Sequence, residues 1–571
     1  MKAARLCWLF YAACGGANKS PAADMPDVRD MSDGRPTSDG GASPDAAPTL
    51  FHDVSAPCIS DFSLGLSPPE VIGSGAGLLD ADGDGDLDVV LASQSTPARF
   101  CRNLGGLAFE DATDEIGLGG ILDARGFAAA DYDADGDQDL YVTRRGSDRL
   151  YRNDGGHFVD VTSASGIGEA GLSYSAAFCD LDRDGDLDLY VGVYIGDYPP
   201  GGGSRNNQLL RNDGGFFVNI AASAGVDSMG ETLAVTCVDY DDDGDLDLYE
   251  VNDFGPCSIP NRLWRNDGEL QFTDVAPTLG IDAHVFGMSA LACDIDNDLD
   301  LDLYASNLGA NLLHRNDGGS FVEVAQEIGA AAMGYACASD PCRACTGRYG
   351  PYALCAEWAE FADRYADPTS SDYLMSSFGA VCFDADQDGR LDLAVVNAPV
   401  VSGSDLPDGW CPPNVLLHNA GGGFEDWSEG SGLAQLEGDQ VSIAAGDLDG
   451  DGDLDLVVHG EAAAGPQNGT AHLLRNDMAV GHWLTVRPQG VASNRDGIGA
   501  RVEVRAGDLH IVRELSGTMG FAAAMPHEAH FGLGGAGLAD EVTVRWPSGA
   551  LDRLLEVPAD QRIVVVEGSS P

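Results

Sequence analysis

Positive charge is scarce in this 571-residue sequence. It has 31 lysines and arginines against 92 aspartates and glutamates, a formal net charge of -61 and a pI near 4.1. Binding a phosphate backbone needs a basic face, so nucleic acid is excluded as a partner. Long apolar runs are also missing. Beyond the first residues no segment reaches the ~20 apolar residues of a membrane-spanning helix. Common catalytic signatures are absent: there is no HExxH, no GxSxG and no phosphate-cradling glycine loop after a strand. The 11 histidines are scattered. The closest two, His527 and His530, lie three apart in a strand-like segment and read as structural. Acidity alone could signal disorder, but 44% hydrophobic content and regular apolar runs around the acids argue for a folded chain.

What is abundant is aspartate, arranged in a ladder of the form D-x-D-x-D-G-D-x-D. Seven copies begin at Asp80 (DADGDGDLD), Asp131 (DYDADGDQD), Asp180 (DLDRDGDLD), Asp239 (DYDDDGDLD), Asp294 (DIDNDLDLD), Asp384 (DADQDGRLD) and Asp447 (DLDGDGDLD). Like charges a few ångströms apart repel, so such clustering calls for a bound cation. In a tight loop, residues 1, 3 and 5 point inward, position 7 offers its carbonyl, and a later acid closes the shell. That acid is at position 9 here. An EF-hand would need glutamate at position 12, where Leu91 and Val142 stand, and it would need flanking helices. The loops are therefore read as strand-turn-strand sites for up to seven Ca²⁺. Their expected ligands are Asp80, Asp82, Asp84 and Asp88; Asp131, Asp133, Asp135 and Asp139; Asp180, Asp182, Asp184 and Asp188; and Asp239, Asp241, Asp243 and Asp247. The last three loops supply Asp294, Asp296, Asp298 and Asp302; Asp384, Asp386, Asp388 and Asp392; and Asp447, Asp449, Asp451 and Asp455. Glycine at position 6 permits the sharp turn. Leu299 replaces it in the fifth loop, which is expected to be the most strained. Arg390 at position 7 of the sixth loop leaves the needed carbonyl in place. Calcium is expected to be structural, holding the fold together.

Each ladder sits in a longer unit. A small apolar run such as Gly126–Ala130 precedes it, and a β-rich run such as Leu140–Val142 follows. A second short strand then ends in Arg-Asn-Asp-Gly, followed by F-x-D/E-V, as in Phe158 to Val161. Four short strands per unit is the arithmetic of a propeller blade. The ladder spacings of 51, 49, 59, 55, 90 and 63 residues fit blades of about 50 residues with insertions after the fifth and sixth. The fold class is thus all-β: a seven-bladed propeller over residues 50–480, with an insertion at 330–377. Blade 7 lacks its own F-x-D-V, and a spare copy, Phe51 to Val54, precedes blade 1. This N-terminal strand is expected to complete blade 7 and close the ring, leaving no open edge.

Outside the propeller, residues 1–14 read as an export signal, in which Tyr11-Ala12-Ala13-Cys14 is an imperfect lipobox and Cys14 a possible lipid anchor. Residues 15–49 are rich in Asp, Pro, Ser, Ala and Gly and read as a disordered tether. Residues 481–568 show about seven short alternating strands and read as a small antiparallel β-sandwich. Twelve cysteines remain beyond the signal. In an exported chain they suggest disulfides. Parallel placement favours Cys237–Cys257 and Cys382–Cys411. Cys337, Cys342, Cys345 and Cys355 in the insertion are read as two disulfides, with a zinc knot as the alternative. Residues 355–365 read as a short helix, and the insertion is the first candidate for partner contact.

The seven units resemble FG-GAP/VCBS repeats, the blades of integrin-type propellers. The strings NRDGIGARV at Asn494, HFGLG at His530 and VRWPSG at Val544 resemble the ASPIC/UnbV domain. Together they resemble the cartilage acidic protein family, which also occurs in bacteria. The resemblance implies a secreted, calcium-binding protein with adhesive or matrix functions. Two classes of function remain open. One is an extracellular binding or adhesion module for a protein or glycan, expected to be monomeric and secreted or held at the cell surface as an outer-membrane lipoprotein. The other is a polysaccharide lyase or hydrolase acting at the central channel, whose mouth would include Arg125, Tyr174, Glu231 and His284.

Overall fold

The structure, a computed structural model, describes residues 50–62, 74–332 and 376–570 apart from short breaks at 55, 95, 169–170, 195–205, 230, 254, 256–258, 399–412, 437–438, 462–470 and 479–480. The expected signal, Cys14, the tether, the 355–365 helix, and Cys257, Cys337, Cys342, Cys345, Cys355 and Cys411 lie outside these residues.

Seven four-stranded antiparallel units follow one another along the chain. Blade 2 is representative: Ala124–Ala130, Asp139–Gly146, Arg149–Asn153 and Phe158–Asp160, each strand hydrogen-bonded to the next. The first strand of each blade packs beside the first strands of the two neighbouring blades, and these contacts run round a closed ring. Blades 2 and 3 are further linked by a short pairing of Gly171 and Leu172 with Gly146 and Arg145. A blade interior is covered on both faces by its neighbours, so the inner strands are continuously apolar rather than alternating. Asp188–Val193 and Ala124–Ala130 are buried from end to end.

Ring closure follows the expectation. Phe51–Asp53 pairs with Ala471–Asn476 as the outer strand of blade 7. Phe51 lies opposite Asn476, the register in which Phe158 meets Asn153 and Phe272 meets Asn266. Sealing the ring with both ends of the propeller sequence removes the free edge that would otherwise invite aggregation.

The cysteine pairing differs from the one expected. Cys237 is bonded to Cys179, and Cys382 to Cys293, with Cα–Cα separations of 6.5 and 6.8 Å. These cysteines lie at or near the ladder ends of the first strands of neighbouring blades, 3 with 4 and 5 with 6, so each bond staples blade to blade. A third bond joins Cys58 to Cys101 at 5.8 Å. Parallel placement along the chain was a poor guide because partner distance is set by ring geometry rather than by sequence separation.

The C-terminal region is a sandwich of two sheets. One contains His482–Gln489 flanked by Ala529–Gly534 and Gln561–Val566. The other contains, in spatial order, Leu509–Glu514, Arg501–Ala506, Leu538–Arg545 and Leu551–Pro558. It is not purely antiparallel, since the last strand, Gln561–Val566, returns parallel to His482–Gln489. Between two of its strands, segment 516–527 leaves the sandwich and enters the propeller's central channel. Leu78 N donates to Ala524 O at 3.1 Å (blade 1), Thr518 Oγ1 to Ala176 O at 3.0 Å (blade 3), and Gly520 N to Ala290 O at 2.9 Å (blade 5). Thr236 Oγ1 donates to Thr518 O at 3.0 Å (blade 4), and Ser442 Oγ to Phe521 O at 3.1 Å (blade 7). Phe521 is wholly buried at the far end among Leu172, Tyr174, Phe286 and Phe378. The segment thus spans the channel from the ladder side to the start of the inner strands.

Candidate metal centres

Each ladder begins where the first strand of a blade ends, so all seven turns lie on one face of the ring. Two residues in every turn adopt the left-handed conformation. At position 6 these are the glycines, from Gly85 (φ 95°) to Gly452 (φ 98°), and Leu299 (φ 79°) in blade 5. Leu299 bears the strain expected for a side chain there, about 1–3 kcal/mol. Position 4 is left-handed as well, at Ala134 (57°), Arg183 (59°) and Gln387 (61°) among others. Sequence reasoning missed this requirement, because no single residue type marks it.

The carboxylates organise the turn before any ion is considered. The position-9 acid accepts two amides in every blade. Its Oδ2 takes the position-2 N–H at 2.8–3.4 Å. Its Oδ1 takes the N–H of the asparagine ending the third strand at 2.7–2.9 Å. In ladders 2 to 7 the position-1 acid accepts the N–H of position 6. Position 5 accepts the N–H of position 7 in all seven. Positions 1, 5 and 9 are thereby held in place, and position 3 converges with them in sets of three. Asp80, Asp82 and Asp84 bring oxygens within 4.8 Å, as do Asp131, Asp133 and Asp139; Asp180, Asp182 and Asp184; and Asp239, Asp241 and Asp247. In ladder 5, Asp294, Asp296, Asp298 and Asp302 interact electrostatically, as do Asp447, Asp449, Asp451 and Asp455 in ladder 7.

Bringing acids together in a partly dry site disfavours their charged forms. Burial is the largest cause, with neighbouring aspartates adding to it. It pushes Asp88 to about 7, Asp188, Asp302 and Asp455 to about 8, and Asp139 to about 9. Asp131 and Asp180 rise to about 7 and Asp384 to about 8 for the same reason. Buried oxygens are also left without a hydrogen bond: Asp80 Oδ1, Asp133 Oδ1, Asp180 Oδ1 and Asp386 Oδ1. Buried acceptors without donors are costly, and a hard dication with oxygen ligands is the partner that fits these sets.

A further function of the repeat escaped sequence reasoning. The asparagine that ends the third strand of each blade clamps neighbouring blades. Asn153 Nδ2 donates to Gln138 O of its own ladder at 3.0 Å and to Ala81 O of the previous one at 2.7 Å. Asn103, Asn212, Asn266, Asn316, Asn419 and Asn476 reach the preceding ladder in the same way, at 2.7–2.9 Å. The sevenfold repetition of the asparagine was the available signal.

The C-terminal domain covers the ladder face with arginines. Arg487 lies 3.4 Å from Asp80, Arg495 3.7 Å from Asp131, Arg545 3.7 Å from Asp239 and Arg562 3.9 Å from Asp447. Arg513 interacts with both Asp294 and Asp384. The strings singled out in the C-terminal sequence supply much of this docking. Asp131 N donates to Asp496 Oδ2 at 2.6 Å, Gly532 N to Asp384 Oδ2 at 3.1 Å, and His530 Nε2 lies 2.9 Å from Gly452 O.

The proposed channel-mouth residues are engaged with their neighbours. Arg125 is buried with its guanidinium 5.4 Å from the Tyr174 ring, and Tyr174 packs against Phe521 of the inserted segment. His284 Nδ1 lies 3.1 Å from Gly255 O, and Glu231 pairs through its backbone with Tyr194. Among the described residues, no helix is long and apolar enough to cross a membrane.

The family models that match agree with this architecture. Residues 80–142, 131–191 and 384–458 match the FG-GAP-like repeat, and residues 490–571 match ASPIC and UnbV. Cartilage acidic protein 1 of Mus musculus is 28% identical over 379 residues, 61% of this chain and 56% of that protein. The Homo sapiens protein of the same name is 27% identical over 363 residues, 58% of this chain and 53% of its own. The chain thus spans about half the length of these curated relatives. Among solved structures, the extracellular domain of a hybrid two-component system protein from B. thetaiotaomicron is 8% identical, covering 90% of this chain and 60% of that one, with a TM-score of 0.38. The V. cholerae biofilm matrix protein Bap1 is 10% identical, covering 67% of this chain and 59% of that one, with a TM-score of 0.29. The chain thus carries FG-GAP-like repeats and a C-terminal ASPIC and UnbV domain, and is similar to cartilage acidic protein 1 over about 60% of its length.

Proposed function

We propose that this protein is an exported ligand-binding or adhesion module whose propeller is held in shape by calcium. The observation that carries the calcium reading is the set of convergent ladder carboxylates, several with buried oxygens lacking any partner. The ladders of blades 1 to 5 and 7 present oxygen alone, the donor set that calcium prefers. Calcium acts here on structure: it neutralises acids that burial would otherwise protonate. The chain's own residues supply the rest, with position 9 and the clamp asparagine tying each ladder to its strands and to the preceding blade.

Three disulfides, two of them between blades, support an oxidising destination. Attachment through Cys14 is the finer part of this reading: Cys14→Ser would move the protein from the membrane fraction to the medium. Segment 516–527 occupies much of the channel where a propeller enzyme would place its substrate, which favours binding over catalysis. The ligand is a protein or a glycan. A glycan and surface-protein array, with and without calcium, tests the reading. Calcium-dependent retention without turnover supports it, and turnover of a polysaccharide refutes it. Unchanged melting in excess chelator refutes the structural role of calcium.

A further inference from the structure

Blade 6 departs from the other six in a concerted way. At the residue before the clamp asparagine the others carry arginine: Arg102, Arg152, Arg211, Arg265, Arg315 and Arg475. Blade 6 carries His418. Position 7, an aspartate elsewhere, is Arg390, and Ala420 stands where blades 2 to 5 and 7 have the aspartate of Arg-Asn-Asp. The exchanges change the chemistry of the turn. The Arg390 guanidinium pairs with Asp388 Oδ2, and its Nε donates to Asn419 O at 2.7 Å, while Asp386, Asp388 and His418 keep ligand atoms within 4.8 Å of one another. Asp384 accepts the amides of Asp388 and Gly389, as its counterparts do in other ladders, and also that of Gly532.

Into the space left comes an imidazole. His418 is 8% exposed and lies flat on Trp427, with ring centroids 3.7 Å apart and planes within 12°. This stacking sets the ring's orientation. Its Nδ1 is 3.1 Å from Asp392 Oδ1 and 3.8 Å from Asp386 Oδ2, while Asp386 Oδ1 is buried without a partner. Ligands bound to zinc at about 2.0–2.2 Å lie roughly 3–3.6 Å from one another, close to these separations. Calcium prefers six to eight oxygens at about 2.3–2.6 Å, and this turn offers fewer free ones.

We propose that blade 6 carries a mixed nitrogen–oxygen centre for a small divalent transition metal of the zinc class, built from Asp386, Asp392 and His418. Imidazole with carboxylate is a donor set that suits such ions. The Arg390–Asp388 pair lowers the ladder's charge and engages one oxygen of position 5, which favours a smaller ion with fewer ligands. The inference rests on the reading that the ladders are ion sites, but it fails separately from it.

The test uses the full chain, stripped of metal and then equilibrated with excess calcium and equimolar zinc. Elemental analysis is expected to find one zinc that is lost in His418→Arg, the residue of the other six blades, with the calcium count unchanged. Cobalt(II) reports the donors. A visible spectrum without an intense sulfur charge-transfer band in the wild-type chain, lost in His418→Arg, supports the site. Zinc retained in a folded His418→Arg chain, or a wild-type chain that takes a seventh calcium and no zinc, overturns it. Absence of calcium from every blade would instead sink the calcium reading. The cobalt spectrum of the wild-type chain keeps the test decisive if the variant does not fold.

Discussion

Stripping the chain of divalent cations should reverse how its stability depends on pH. Asp302 and Asp455 are fully buried, and burial raises both to about 8 in the folded chain. In the unfolded chain an aspartate titrates near 3.9. A group with a raised folded pKa contributes its full stability below the unfolded value and loses it as pH rises through the folded value. Between pH 4 and pH 7 each such carboxylate therefore costs the ion-free fold about 4 kcal/mol, at 1.36 kcal/mol per unit. Asp88, Asp139 and Asp188 are raised in the same sense, to about 7, 9 and 8. A few such terms together reach the ~5–15 kcal/mol by which domains are stable. The stripped chain should melt highest near pH 5 and progressively lower toward pH 8. With calcium the order should invert, because the ion binds the deprotonated carboxylates and acid releases it.

The assay is thermal unfolding of resin-stripped protein at half-unit steps from pH 5 to 8, with and without calcium. Overall charge repulsion acts in the same direction, and Asp302→Asn separates the two. It removes one charge of many but a whole local cost, so the stripped variant should outlast the stripped wild type at pH 8. A melting temperature of the stripped wild type that stays flat or rises from pH 5 to 8 would refute the reasoning.

Asn153→Ala leaves Ala81 O and Gln138 O buried without their donor, and thermal melting should show a loss of about 2–4 kcal/mol. Phe521→Ala empties the end of the channel and should cost about 3–5 kcal/mol by denaturant titration. Leu299→Gly relieves a left-handed side chain and should raise stability by about 1 kcal/mol in the presence of calcium. Peptide mapping without reduction should recover Cys58–Cys101, Cys179–Cys237 and Cys293–Cys382 as linked pairs. Recovery of Cys237 with Cys257 would contradict the blade-to-blade arrangement.

The blades were legible because their signals are local. A ladder, two apolar runs and a phenylalanine recur within about 50 residues, and each strand is set by its neighbours in sequence. The closing strand could be read because one spare motif matched one missing motif. Position 6 could be read because glycine marks it, whereas position 4 could not, since Ala134, Arg183 and Gln387 share a conformation but no chemistry. The asparagine clamp spans 72 residues from Asn153 to Ala81, and its geometry exists only after the ring has formed. The channel segment left a fainter trace. Residues 515–525 carry no charge in a chain where 22% of residues are charged, as expected for a stretch destined for a dry tunnel. Nothing local says which tunnel.

The C-terminal domain completes the charge logic of the molecule. Residues 481–571 hold eight arginines and no lysine. Five of these approach the first aspartate of ladders in blades 1, 2, 4, 5, 6 and 7. Arginine suits this task because its planar, always-charged fork can meet a carboxylate and a carbonyl together. Arg562 does so, reaching Asp447 and donating to Gly85 O at 2.9 Å. Among the described residues, no arginine pairs with the first aspartate of the blade 3 ladder, Asp180. Arginines approach from the domain side and, on the proposed reading, ions sit within the turns, so the same first-position acids face both. Docking and ion binding would then share the task of neutralising one ring of carboxylates, and neither domain's surface is complete without the other. The inserted segment makes that dependence mechanical. Undocking would withdraw Phe521 from the core and open a channel lined by Leu172, Tyr174, Phe286 and Phe378 to water, so the propeller and its cover should unfold as one cooperative unit.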